Sequence, residues 1–278
     1  MKPSKIRLSA RACARISALA LAALVPLAAH AHRQWLLPSA TVLSGNDPWV
    51  TVDAAVSNDL FYFEHFPLKL DNLSVSAPDG SAAKVENAST GRYRSTFDVH
   101  LTQPGTYKMA VVNHGVFASY KENGQAKRYR GSAEGLAKAV PANAQELKIT
   151  QSDTRLETFV TAGKPTTEVF KTTGRGLELA PGTHPNDLFA GEPANFQLLL
   201  DGKPAANVEV EVVPGGNRYR DQLGAFKLST DAEGRFAIKW PAPGMYWIEA
   251  EVRDNKTSIP RAAERRAAYM ATFEVLPQ

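Results

Sequence analysis

Five histidines lie beyond residue 31 of this 278-residue chain: His32, His65, His100, His114 and His184. The only cysteine is Cys13, so a transition-metal site built after residue 31 has imidazole, amine, carboxylate and carbonyl donors to draw on and no thiolate. His32 is the most promising of the five because of what precedes it. The run Ala29-His30-Ala31 reads as an A-x-A cleavage site, and cutting there makes His32 the first residue of the mature chain. One residue would then offer a free α-amine, an imidazole and a backbone nitrogen. The amine and imidazole titrate near about 7.7 to 8.0 and about 6.5, so Cu(II) or Ni(II) can displace their protons close to neutral pH. The competing reading is a frayed terminal residue with no ligand.

The other histidines differ in context. His65 sits in the aromatic stretch Leu60-Phe61-Tyr62-Phe63-Glu64-His65-Phe66-Pro67, where rings would make a dry wall and Glu64 a supporting carboxylate. His114 ends an expected strand beside Asn113 and Gly115, at a rim from which it could reach the chain start. His184 lies in Thr183-His184-Pro185-Asn186-Asp187, which is also good turn chemistry. His100 shares a strand face with Asp98 and Thr96 and is expected to point to water. The expected site therefore joins His32 to His65 or His114, an amine and two imidazoles giving three nitrogen donors, with His184 as a further candidate.

Residues 1–31 have the parts of a secretory signal: Lys2, Lys5, Arg7, Arg11 and Arg15, then an apolar run from Ile16 to Ala29 broken by Pro26. That run is shorter than the roughly 20 residues a membrane span needs, and no later segment is apolar enough to span. Without the signal the net charge of +4 disappears, leaving 27 basic and 28 acidic residues. Nothing in that balance favours nucleic acid or an anionic membrane surface. The mature chain also has neither thiol nor disulfide, which removes cysteine nucleophiles. A G-x-S-x-G elbow, a phosphate loop and an H-E-x-x-H helix are absent, which disfavours conventional hydrolases and nucleotide enzymes.

The elements that would carry these histidines are strands. Short alternating runs bounded by turn residues recur from Trp49 onward, and helical patterns are scarce. The expected fold is all-β, with two β-sandwich domains of the immunoglobulin or transthyretin kind. Residues 32–116 form the first and 176–278 the second. Residues 117–175 form an irregular, partly helical connection with one return strand, its best helix at Ser132 to Val140 with Ser132 as cap. The two halves share a signature. Gly91-Arg92-Tyr93 leads to Pro104-Gly105-Thr106-Tyr107, and Gly234-Arg235-Phe236 leads to Pro243-Gly244-Met245-Tyr246.

Several stretches resemble a specific bacterial family: Leu177-Glu178-Leu179-Ala180-Pro181, Thr183 to Leu188, Asp201-Gly202-Lys203-Pro204, Thr230 to Phe236, Glu157 to Pro165, and the mature start His32 with Trp35-Leu36 and Pro38. These are similar to largely uncharacterised exported proteins described as periplasmic components of nickel or cobalt uptake. The resemblance implies a periplasmic location, sandwich domains and a role in transition-metal uptake, with a membrane metal transporter as partner. The expected function is a non-enzymatic carrier of nickel, cobalt or copper. One alternative is a copper-dependent oxygenase using an N-terminal histidine, as in polysaccharide-cleaving enzymes. Another is a metal-free adhesion or scaffold module that binds through exposed aromatics such as Tyr62 and Phe63.

Overall fold

Residues His32–Gln278 form one compact unit. The computed structural model describes residues 32–278, and the expected secretory signal lies outside them. The described unit is all-β, as its alternating sequence requires, with strands numbered β1 to β18 in chain order.

Three sheets build it. The first contains β1 (Arg33–Pro38), β3 (Trp49–Ser57), β7 (Ser95–His100) and β6 (Glu86–Thr90) in that order, with β4 (Phe66–Pro67) also paired to β3. The second has nine strands. Its path is β15 (Phe226–Ser229), β14 (Glu209–Pro214), β17 (Gly244–Asp254), β18 (Glu264–Val275), β10 (Gln145–Ala162), β8 (Gly105–Glu122) and β5 (Leu73–Ser76), with β2 (Val42–Leu43) on β10 and β9 (Gln125–Gly131) on β8. The third contains β11 (Leu177–Pro181), β12 (Pro193–Leu200), β13 (Lys203–Pro204) and β16 (Arg235–Lys239).

The nine-stranded sheet is shared by two hydrophobic cores. On β17, Trp247 enters the core that holds Trp35, Val52 and Phe97, while its neighbours Tyr246 and Ile248 enter the core that holds Leu198, Ile238 and Trp240. Met270 and Tyr269 divide in the same way on β18, as do Leu156 and Phe159 on β10. Successive side chains of a strand point to opposite faces, so a strand between two cores is buried at every position, as residues 155–162 are. The charged members of that run are paired where they are buried, Arg155 with Glu157 at 3.2 Å and with Glu178 at 3.1 Å, and Glu157 also accepts the Tyr269 hydroxyl at 3.0 Å. The expected edge at 116/117 falls within β8, and that at 175/176 falls just before β11. The segment 117–175 holds β10, which pairs with β8 on one side and β18 on the other and so joins the two sandwiches.

Two further features of that segment follow from local chemistry. β8 continues past the expected stop at His114 to Glu122 and folds back as the polar hairpin strand β9. Helix α1 (Ala133–Ala139) starts at Ser132, whose Oγ accepts the Gly135 N–H at 3.1 Å. A Cβ at Gly135 would lie 2.2 Å from the Tyr129 hydroxyl, so a larger residue there would require that side chain to move.

The repeated signature is a tyrosine corner in both halves. The Tyr107 hydroxyl bonds the backbone of Gln103, accepting its N–H at 2.8 Å, and the Tyr246 hydroxyl donates to the Ala242 carbonyl at 2.8 Å. In each copy the tyrosine lies two residues after a glycine at large positive φ, Gly105 (+135°) or Gly244 (+139°). Each hydroxyl ties the turn to the strand that leaves it.

Candidate functional site

Strand β3 brings two histidines together. β1 and β4 both run antiparallel to it and both begin at its C-terminal end, with Arg33 paired to Ser57 and Phe66 paired to Val56. The residues just before these strands, His32 and His65, therefore emerge at one end of the sheet. Their ring centroids are 4.2 Å apart at an interplanar angle of 45°. Phe66 packs against both, 5.6 Å from the His32 ring and 5.7 Å from the His65 ring. His32 is exposed and His65 half-buried, so the pair faces solvent with an aromatic wall beside it.

The pair stands on a rigid base. Trp35, fully buried in β1, donates its indole N–H to Ser57 Oγ at 2.7 Å, and Ser57 donates in turn to the Asp59 carbonyl at 2.6 Å. Phe61 and Phe63 both pack on Trp35 at 5.5 Å. On the other side of β1 the Trp247 indole donates to the Gln34 carbonyl at 2.9 Å, and the Arg33 guanidinium lies 5.5 Å from the Trp247 ring and 3.7 Å from Glu211. Glu64 makes its hydrogen bonds to backbone and not to either imidazole. One of its carboxylate oxygens accepts the backbone N–H groups of Asn58 and Asp59 at 2.8 and 2.9 Å, which closes the 57–65 loop onto itself immediately before His65. Phe61 adopts φ +62° in that loop, an unusual conformation for an aromatic residue.

The remaining histidines lie elsewhere and have other partners. His114 is held through Nδ1, 2.7 Å from Asp153 Oδ1, and Asp153 is 4 % exposed and also accepts from Gln151 at 2.8 Å. The pairing follows from register, since His114 and Asp153 are partners on β8 and β10. His184 accepts the Asn186 N–H at Nδ1 (3.1 Å), and its Nε2 faces the Thr166 carbonyl at 3.2 Å and Thr106 Oγ1 at 2.9 Å. A carbonyl only accepts, so Nε2 carries the proton and both nitrogens are occupied within the protein. Burial holds the imidazole below its ordinary range, partly offset by the Thr166 carbonyl and Asp187. These bonds tie His184 to Thr106, Thr166 and Asn186, away from His32 and His65. His100 stacks on Trp49, rings 4.4 Å apart and nearly parallel, with Nε2 2.5 Å from Asp47 Oδ1.

Among the described residues no group of three or more His, Cys, Asp or Glu side chains is gathered to hold a metal ion. The site contains two imidazoles, and a third nitrogen there would have to come from residue 32 itself. No helix among the described residues is long and apolar enough to cross a membrane.

Fold and site together define a β-sandwich protein with a solvent-facing histidine pair at the start of its first strand. The chain belongs to the family described as "Domain of unknown function (DUF4198)", matched over residues 29–254. No curated protein matches the chain. Similar solved structures include the D0-D1 domain of Intimin (13 % identity, 86 % of this chain and 96 % of that chain, TM-score 0.21). Chicken CNTN1 FN1-FN3 domains are another (7 % identity, 87 % of this chain and 97 % of that chain, TM-score 0.24). Scores this low carry no argument, and the fold stands on the strands described above.

Proposed function

We propose that the exported protein binds one divalent transition-metal ion through His32 and His65 in the periplasm and delivers it to a membrane uptake system. The observation that carries this reading is the 4.2 Å approach of the two imidazoles. Their aromatic neighbours are each other and Phe66, whereas the other three histidines bond to carboxylate, hydroxyl or backbone groups. The compact unit begins at His32, the residue that cleavage after Ala31 would expose. Cleavage adds an α-amine to the pair and completes a three-nitrogen set. Such donors suit copper, nickel and cobalt, with Cu(II) bound most tightly by the general order of affinities. Aromatic packing and the Glu64-closed loop support the geometry by holding His65 where the start of β1 emerges.

The test is a titration of the exported protein, after its intact mass has established a His32 terminus. One equivalent of Cu(II) or Ni(II) is expected to bind, and His65→Ala is expected to weaken it by at least tenfold. Unchanged isotherms in that variant would overturn the proposal. The exposure of His32 and the half-exposed Phe66 beside it also favour a second reading, a copper oxygenase with an open coordination face. Reductant-dependent peroxide formation by the copper-loaded protein separates this from a carrier, which should form little.

A further inference from the structure

A second concavity, of about 500 Å³, opens between the 60–62 turn and the 214–220 turn. Phe61, Tyr62, Tyr219 and Met245 supply apolar and aromatic surface, and Arg218 and Arg220 are its charged lining residues. No carboxylate lines it, in a mature chain whose acids and bases are nearly equal in number. Arg220 is structural: its guanidinium donates to the carbonyls of Gly215 (2.7 Å), Pro214 (3.0 Å) and Leu223 (2.9 Å), which are neutral and leave its charge uncancelled. Arg218 is different. Its guanidinium lies 3.6 Å from the centroid of Tyr62, and no ion pair or hydrogen bond to it occurs among the described residues. Stacked on a ring, it is fixed in orientation while its N–H edge remains available for a planar anion. Tyr219 beside it is 86 % exposed, an unusual position for so large an aromatic side chain.

The cleft is well built. Phe61, at positive φ, packs against Gly215, where a Cβ would come within 3.0 Å of the ring and 2.9 Å of the Met245 carbonyl. The buried Asn217 donates to Asp59 Oδ1 at 3.1 Å and pins one turn to the other. Another concavity, about 590 Å³ on the third sheet, contrasts with it. There Arg235 is neutralised by Asp231 at 3.0 Å.

We propose that the 60–62/214–220 cleft binds a small organic anion with a flat apolar body, in its simplest form an aromatic carboxylate, its charge met by Arg218 and its ring by Tyr219. The volume fits a ligand of ordinary small-molecule size. The proposal is independent of metal binding, although the 57–65 loop borders both sites.

The experiment is calorimetric titration with naphthalene-2-carboxylate, with neutral 2-naphthylmethanol and acetate as controls. The carboxylate should bind one to one, with the alcohol at least about tenfold weaker and acetate too weak to measure. Arg218→Gln and Tyr219→Ala should each weaken binding about tenfold or more; both side chains are exposed, and thermal melts will show whether the fold is kept. Arg235→Gln, in the concavity on the third sheet, should leave binding unchanged. Equal affinity for acid and alcohol, an unaffected Arg218→Gln variant, or no binding by the wild-type protein would overturn the proposal.

Discussion

Replacing Glu64 tests whether the loop that presents His65 is held by a single carboxylate. Its Oε1 accepts two backbone N–H groups, from Asn58 at 2.8 Å and Asp59 at 2.9 Å. A hydrogen bond to a charged group contributes about 1.5 to 3 kcal/mol when well buried. These groups are only partly buried, so water replaces some of each bond and about 1 kcal/mol apiece is the better figure. Glu64→Ala should therefore cost about 2 kcal/mol, which for a chain of this size lowers Tm by about 4 to 8 °C. Glu64→Gln retains an acceptor oxygen and loses the charge, and should cost about half as much. Loss of a group that orients a ligand typically weakens metal binding about 10- to 100-fold. Glu64→Ala should then bind Cu(II) at least about tenfold more weakly, with Glu64→Gln in between. Thermal melts, calorimetric titration and amide exchange at Asn58 and Asp59 supply the readouts. An unchanged Tm with equally protected amides would refute the clamp. A lowered Tm with unchanged metal affinity would refute its link to the site.

Three other perturbations have definite signs. His184 is held below its ordinary pKa of 6.5 chiefly by burial, so its contribution to stability is fully present above about pH 6.5 and is lost as the pH falls through the folded value. His184→Gln should flatten that part of a Tm-against-pH curve, and an equal slope in both proteins would contradict the assignment. Glu249 is pushed above its ordinary 4.5 by burial and by Glu251 and Glu211, against the pull of Arg266 and Arg33. Its protonation-linked stability is present below about pH 4.5 and lost as the pH rises through the folded value. Glu249→Gln should therefore melt higher than wild type at pH 7, with the difference closing toward pH 4; a lower melt at pH 7 would show that the pair with Arg266 outweighs burial. At Gly234, φ is +75° and a Cβ would lie 2.4 Å from the Leu198 carbonyl and 2.9 Å from the Ala205 nitrogen. Gly234→Ala should cost about 3 kcal/mol, against about 1 kcal/mol for Gly80→Ala, which has φ +83° but open space around it. Equal losses in denaturant melts would mean that the close approach is not what matters.

How far the sequence revealed these features depends on whether the pattern was local. Strand β3 begins at Trp49, where the alternation starts, and α1 begins at the cap expected from Ser132. The tyrosine corners were visible as two Pro-Gly turns followed by tyrosine, although the hydroxyl contacts were not. The continuation of β8 was missed because Phe117 to Gly131 forms an edge hairpin, where Lys127, Arg128 and Arg130 face solvent and alternation fades. The shared sheet was missed for a related reason: the parallel pairing of β10 with β18 joins residues more than 100 positions apart. At the site, the aromatic loop around His65 was legible from its composition. That His65 adjoins His32, while His114 bonds Asp153, depends on how β1, β4 and β8 pair, which no local spacing encodes. The Arg218 cleft likewise joins turns that lie about 150 residues apart.

The most direct test of the central claim compares copper binding by the protein whose first residue is His32 with that of the same protein extended by one alanine ahead of it, using titration and the nitrogen hyperfine pattern of the Cu(II) electron paramagnetic resonance spectrum. The His32–His65 site predicts one Cu(II) with three nitrogen donors. In the extended protein it predicts an altered spectrum and an affinity lower by about tenfold or more, because the amine has moved away from the imidazole pair. Identical isotherms and spectra for the two proteins would contradict it.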